Sequence, residues 1–223
     1  MGKWADAGLL LVLLQSSVWA NNAAERQTVH LQDQNGKPLR HAVVEVIATR
    51  GSPLVSDADD KQWPQAVMDQ VDKRFEPELL LVHSGQAVLF PNSDNIRHHV
   101  YSFSPSNPFE LKLYSGRPKL PIVFQNPGVV VVGCNIHDAM VGYIYVSDAP
   151  HVALSDELGM VELPVSAEEI LVWHPLQAIA AEQKTAFSLS PKTDQKPNTL
   201  RLTTHAPAPA NTFQAQFRDA AAK

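Results

Sequence analysis

Two apolar runs, Val129–Val132 and Val141–Val146, flank the segment Gly133-Cys134-Asn135-Ile136-His137-Asp138-Ala139-Met140. Runs this short, rich in β-branched and aromatic residues, read as strands rather than helices. The segment between them is then a tight loop that carries a thiol, an imidazole and a thioether, with two residues between each and the next. A strand ending at Cys134 sets the thiol at the rim of a sheet. His137 can turn back toward the same point, and Met140, at the start of the next strand, can approach from the side. A loop so short leaves its side chains little freedom to rearrange.

The rest of the chain reads as strands too. Leu79–Val82, Ala87–Phe90 and His98–Phe103 are β-rich runs separated by Ser84-Gly85-Gln86 and Pro91–Asn95. A further short strand is expected at Glu110–Tyr114, within a stretch broken by Pro105, Pro108, Gly116, Pro118 and Pro121. The 223 residues hold 17 prolines, so long uninterrupted helices are not expected. Strands at this spacing, with turn residues between, imply an all-β sandwich or barrel. The net charge of −5 points to neither a nucleic-acid partner nor an anionic membrane surface.

The N-terminus resembles an export signal. Lys3 precedes the apolar core Leu9–Leu14, and Val18-Trp19-Ala20 is a small-residue cleavage site. The apolar run is far short of the roughly 20 residues a membrane span needs. Residues 1–20 are therefore expected to be removed, and the mature protein to be soluble and periplasmic, with no membrane span. Export gives the single cysteine, Cys134, a meaning. In an oxidising compartment a lone thiol is buried and inert, paired between chains, or held by a ligand. Metal ligation protects it while using its thiolate form.

A thiolate, two imidazoles and a weak thioether form the ligand set of a blue-copper centre. Cys134, His137 and Met140 supply three of these, and Arg97-His98-His99-Val100 can bring the second imidazole. Neighbouring strand residues point to opposite faces, so only one of His98 and His99 should face the metal. Taken singly, each residue has a plainer role: His137 a loop histidine, Met140 core filler, Cys134 a small buried hydrophobe. Together they point to one type 1 copper ion. The remaining histidines, among them His30, His41, His83, His151, His174 and His205, lack ligand spacing and read as surface or structural.

Residues 75–147 resemble a cupredoxin. The likeness rests on Phe75-x-Pro77, Val82-x-x-Gly85, Val88-x-Phe90-x-Asn92-x-Asp94, the His98 strand, and Cys134-x-x-His137-x-x-Met140. The ligand loop is similar to the short loop of amicyanin, as found in methylamine-utilisation proteins; plastocyanin has a longer gap before its methionine. The resemblance implies a Greek-key β-sandwich and His98, Cys134, His137 and Met140 as the copper ligands. It also makes His137 the more exposed imidazole and the electron portal. His99 stands where the family has an asparagine that ties the two ligand segments together, a departure in the surroundings of the centre.

The flanks carry a second, weaker pattern. Asp33-x-x-Gly36-x-Pro38-Leu39-x-x-Ala42-x-Val44, with Asp156–Pro164 and Ile170–Pro175, resembles the strands of carboxypeptidase-regulatory-like sandwiches. The expected division is a hairpin and linker over 21–64, a cupredoxin domain over 65–148, a β segment over 149–205 and a flexible tail over 206–223. The flanks would form one small sandwich into which the copper domain is inserted; the alternative is two unrelated extensions. No Ser-His-Asp pattern, phosphate loop or paired-carboxylate motif argues for an enzyme. The expectation is a single-electron carrier between redox partner proteins, such as a periplasmic dehydrogenase or a cytochrome. The alternative is a copper carrier or sensor without redox turnover.

Overall fold

The structure, a computed structural model, describes residues 26–51, 63–190 and 197–206. The export-signal segment and the tail beyond residue 206 lie outside the described residues. Within them every regular element is a strand, and no helix is long and apolar enough to cross a membrane.

The two apolar runs form an antiparallel pair, Gly128–Cys134 against Val141–Ser147, in register from Gly128 opposite Val146 to Gly133 opposite Val141. They lie in a five-stranded sheet, with Leu79–His83 beyond Val141–Ser147, and His98–Ser102 then Phe109–Tyr114 beyond Gly128–Cys134. A three-stranded sheet of Ile122–Phe124, Gln86–Leu89 and Ala66–Val67 completes this part of the molecule. Side chains from both sheets share one core: Val88 and Phe124 from the smaller sheet meet Val82, Val100, Val130, Val132, Cys134 and Ile144. Two sheets closed on a shared core make a β-sandwich.

Val129–Val132 is unbroken by polar residues because both of its faces are covered. Val130 and Val132 point into that first core, while Val129 packs with Tyr143, Tyr145, Leu79, Val43 and Trp173 on the other side. Val43 and Trp173 belong to the flanks, so the outer face of the five-stranded sheet is buried rather than solvated. The Trp173 ring lies 5.6 Å from both tyrosine rings, and its indole donates to the Ala181 carbonyl at 2.7 Å.

The flanks pair with each other. Arg26–Asp33 runs antiparallel to Met160–Pro164 and parallel to Asn198–Leu202. Val43–Thr49 lies in a second sheet between Val152–Leu154 and Ala167–Trp173, with Thr185–Ser188 at the far edge. Val29, Leu31, Val44, Val46, Val161, Leu163, Ile170, Val172 and Leu202 close a core of their own. The hairpin expected within 21–64 is therefore only a stub. The turn at Asp33–Lys37 forms, with Asp33 accepting from the amides of Asn35 and Lys37, and Gln32 bridges to Pro38. Proline has no amide to extend that ladder, and the chain crosses to the opposite sheet. Ala66–Val67 and Asp69–Val71 are a pair of short strands.

Candidate metal centre

Cys134 ends its strand on the core side and is buried. His98 begins the adjacent antiparallel strand, where Cys134 lies opposite Val100. Strand alternation turns the His98 ring inward, fully buried, and the His99 ring outward to a 2.9 Å contact with Glu110. His137 sits in the loop, and its carbonyl accepts from the Met140 amide at 2.9 Å. The Met140 carbonyl in turn accepts from the Cys134 amide at 3.2 Å. These two bonds fold the loop back on its own base, which brings the His137 ring over the thiol.

The result is a compact triad. The sulfur of Cys134 lies 3.5 Å from Nδ1 of His98 and 3.7 Å from Nδ1 of His137. One ligand atom from each residue falls within 4.8 Å of the other two. A transition metal bonded at about 2.3 Å to sulfur and about 2.0 Å to nitrogen, at trigonal angles, needs sulfur–nitrogen separations of about 3.7 Å. The side chains already stand at that spacing, so they fit a trigonal His₂Cys metal. Met140 is buried in the same core cluster as Cys134. His99 contributes its backbone: its carbonyl accepts from the Asn135 amide at 3.1 Å, tying the two ligand-bearing segments together.

Asp94 is the residue that sequence reasoning left without a role. Its Oδ2 lies 2.7 Å from Nε2 of His98. It also accepts from the backbone amides of Asp72 at 2.7 Å and Lys73 at 3.0 Å. Burial alone would raise the Asp94 carboxyl, but the Lys73 amide, His98 and the Asp72 amide outweigh it and hold the pKa below the usual carboxylate value. An ionised carboxylate only accepts, so Nε2 of His98 carries the proton and Nδ1 keeps its lone pair toward Cys134. The signal in the sequence was Asn92-x-Asp94 four residues before His98, legible as a turn but not as a contact. Asn92 builds that turn: its amide donates to the Ile96 and Tyr114 carbonyls, and its oxygen accepts from the Asp94 amide.

The pKa of His137 is lowered, first by burial and then by the nearby His98 and Lys73, with Asp94 opposing. That favours the neutral ring a metal requires. Three of the other described histidines have clear structural partners. His174 is buried between the Arg40 carbonyl at 3.3 Å and the Leu176 amide at 3.1 Å. His83 stacks on Trp63 at 3.6 Å, and His41 pairs with Glu157 at 3.3 Å.

No protein-family model matches the chain, and no curated protein matches it. Solved structures do. The copper-containing nitrite reductase of Thermus scotoductus shares 24% identity over 46% of this chain and 27% of its own, at a TM-score of 0.37. An oxidised amicyanin variant shares 20% over 37% of this chain and 82% of its own, at 0.35. The structural neighbours are cupredoxins. A purple cupredoxin from Nitrosopumilus maritimus shares 22% over 37% of this chain and 98% of its own, at 0.33. This chain thus spans about a quarter of the nitrite reductase's length and most of the small cupredoxins'. What the site does is argued from its own geometry.

Proposed function

We propose that this protein is an exported, periplasmic blue-copper protein that carries single electrons between redox partners. The observation that carries the reading is the Cys134 sulfur held 3.5 and 3.7 Å from two imidazole Nδ1 atoms, at trigonal spacing. In this reading Cys134 supplies the thiolate, His98 and His137 the imidazoles, and Met140 the weak axial thioether. Copper held there would exchange one electron as it passes between Cu(I) and Cu(II). The soft sulfurs suit the reduced ion and the imidazoles the oxidised one.

The chain's own residues favour a carrier over a site that releases its metal. Asp94 fixes the ring of His98, and the backbone bonds of Met140 close the loop on both sides. A frame held this firmly changes little when charge moves, which keeps the reorganisation small. His137 is only partly buried, and Ile136 beside it is exposed, so this rim is the place for an electron to enter and leave. The export pattern of residues 1–20 supports a periplasmic site of action, where a dehydrogenase or a cytochrome would be the partner. Residues 65–148 act as the copper module, inserted into the sandwich that the flanks build.

The test is Cu(II) titration of the mature protein beside Cys134→Ser, followed by visible absorption. An intense thiolate-to-copper charge-transfer band, absent in the variant, is expected. A colourless wild type would refute the copper reading. Reversible one-electron cycling would support the carrier, and ready metal transfer to a chelator would support a delivery role instead.

A further inference from the structure

The ring of His98 has no freedom to choose its orientation. It is fully buried, and its outer nitrogen meets a carboxylate, where an uncharged carbonyl would have fixed the ring equally well. That carboxylate is itself held by two amides from the tip of the hairpin formed by Asp69–Val71 and Arg74–Glu76. The tip residues Asp72 and Lys73 adopt left-handed backbone angles, φ 52° and 60°, which non-glycine residues rarely take. Those angles aim both amides at Asp94. The Asp94 side chain is 12% exposed, so water and salt screen its charge poorly.

We propose that Asp94 is the tuning and positioning residue of this centre: it holds His98 with Nδ1 toward Cys134 and lowers the reduction potential. The inference rests on the copper reading above. Two effects act in the same direction. An anionic acceptor draws the Nε2 proton of His98 and makes Nδ1 a stronger donor. The fixed negative charge also favours Cu(II), which carries one more positive charge than Cu(I).

Asp94→Asn keeps the size and one accepting oxygen and removes the charge. Both proteins are loaded with copper, checked for fold by circular dichroism and for the charge-transfer band, and titrated by spectroelectrochemistry. With the band retained, the variant is expected to shift the Cu(I)/Cu(II) balance toward Cu(I) by about tenfold, a rise of about 59 mV for a one-electron couple. A purely structural role would leave the potential where it was. A retained band with a shift below about twofold, roughly 18 mV on the same scale, overturns the inference and leaves the copper reading intact. A wild type without the band overturns both. Should the variant not fold, nitrogen-15 NMR of the Cu(I) wild type decides instead. A slowly exchanging, strongly downfield Nε2 proton on His98 supports the inference, and a freely exchanging one overturns it.

Discussion

Glu45 is the buried charge on which the flanks and the ligand-bearing sandwich meet, so breaking its ion pair should loosen the whole molecule. Glu45 belongs to Val43–Thr49 and is 3% exposed. Its Oε2 lies 2.6 Å from the ammonium of Lys184, and its Oε1 accepts from the Ser147 hydroxyl at 2.5 Å. The Tyr145 hydroxyl is bonded to the same carboxylate; burial, followed by the Glu45 charge, pushes that phenol far above its usual pKa. Ser147 and Tyr145 come from the five-stranded sheet, Glu45 and Lys184 from opposite flanks. Lys184→Met keeps the length and apolar stem but leaves the carboxylate without its cation. Removing one partner of a buried pair costs about 3–5 kcal/mol. The Lys184 side chain retains 24% exposure, so water can reach the site and the lower end applies, about 3 kcal/mol. In a chain of this size that is roughly 6–12 °C in the melting midpoint. Replacing both partners by neutral groups of similar shape is close to neutral, so Lys184→Met combined with Glu45→Gln should recover most of the loss. Urea unfolding of wild type, single and double variants, followed by circular dichroism, measures it. A single variant within about 0.5 kcal/mol of wild type, the range of ordinary surface substitutions, would refute the argument. So would a double variant as unstable as the single.

Two other perturbations separate roles that the sequence left side by side. His98→Ala should abolish the charge-transfer band, whereas His99→Ala should keep it, because the outward ring meets Glu110 and only its backbone carbonyl joins the ligand segments; visible absorption of the copper-loaded variants decides it. Burial, and secondarily His41, lowers the pKa of His174, with the Arg40 carbonyl opposing. Its folded-state pKa is then below the unfolded value of about 6.5, so stability holds above that pH and falls as the pH drops through it toward the folded value. His174→Gln should flatten this acid limb relative to wild type in urea midpoints taken from pH 8 to 5. Parallel curves would exclude His174 as its source.

The parts of the molecule that were legible are those whose information is local. Cys134, His137 and Met140 occupy one loop between two strands, so their spacing alone placed them together. His98 came from resemblance and strand alternation, and alternation is what turns it inward. Asp94 was not legible because its meaning depends on a side chain four residues on and on a hairpin tip more than twenty residues earlier. The flanks show the same limit more strongly. The strand Arg26–Asp33 takes both of its partners, Met160–Pro164 and Asn198–Leu202, from far down the chain. The turn at Asp33–Lys37 is held by its own local side chain, but a turn does not say which sheet its outgoing arm will join.

The flanks also decide which face of the ligand-bearing sandwich is covered. A free-standing antiparallel sandwich usually leaves polar residues on its outer faces. Here the outer face of Gly128–Cys134 and Val141–Ser147 carries Val129, Tyr143 and Tyr145, all buried against Val43 and Trp173. A partner approaching that face would have to displace the Trp173 seam and the Glu45 ion pair together. Among the described residues the rim at the ligand loop is open: Asn135, Ile136, Asp138 and Ala139 are exposed around the half-buried His137. The cover comes from both flanks, Val43 before the ligand-bearing sandwich and Trp173 after it.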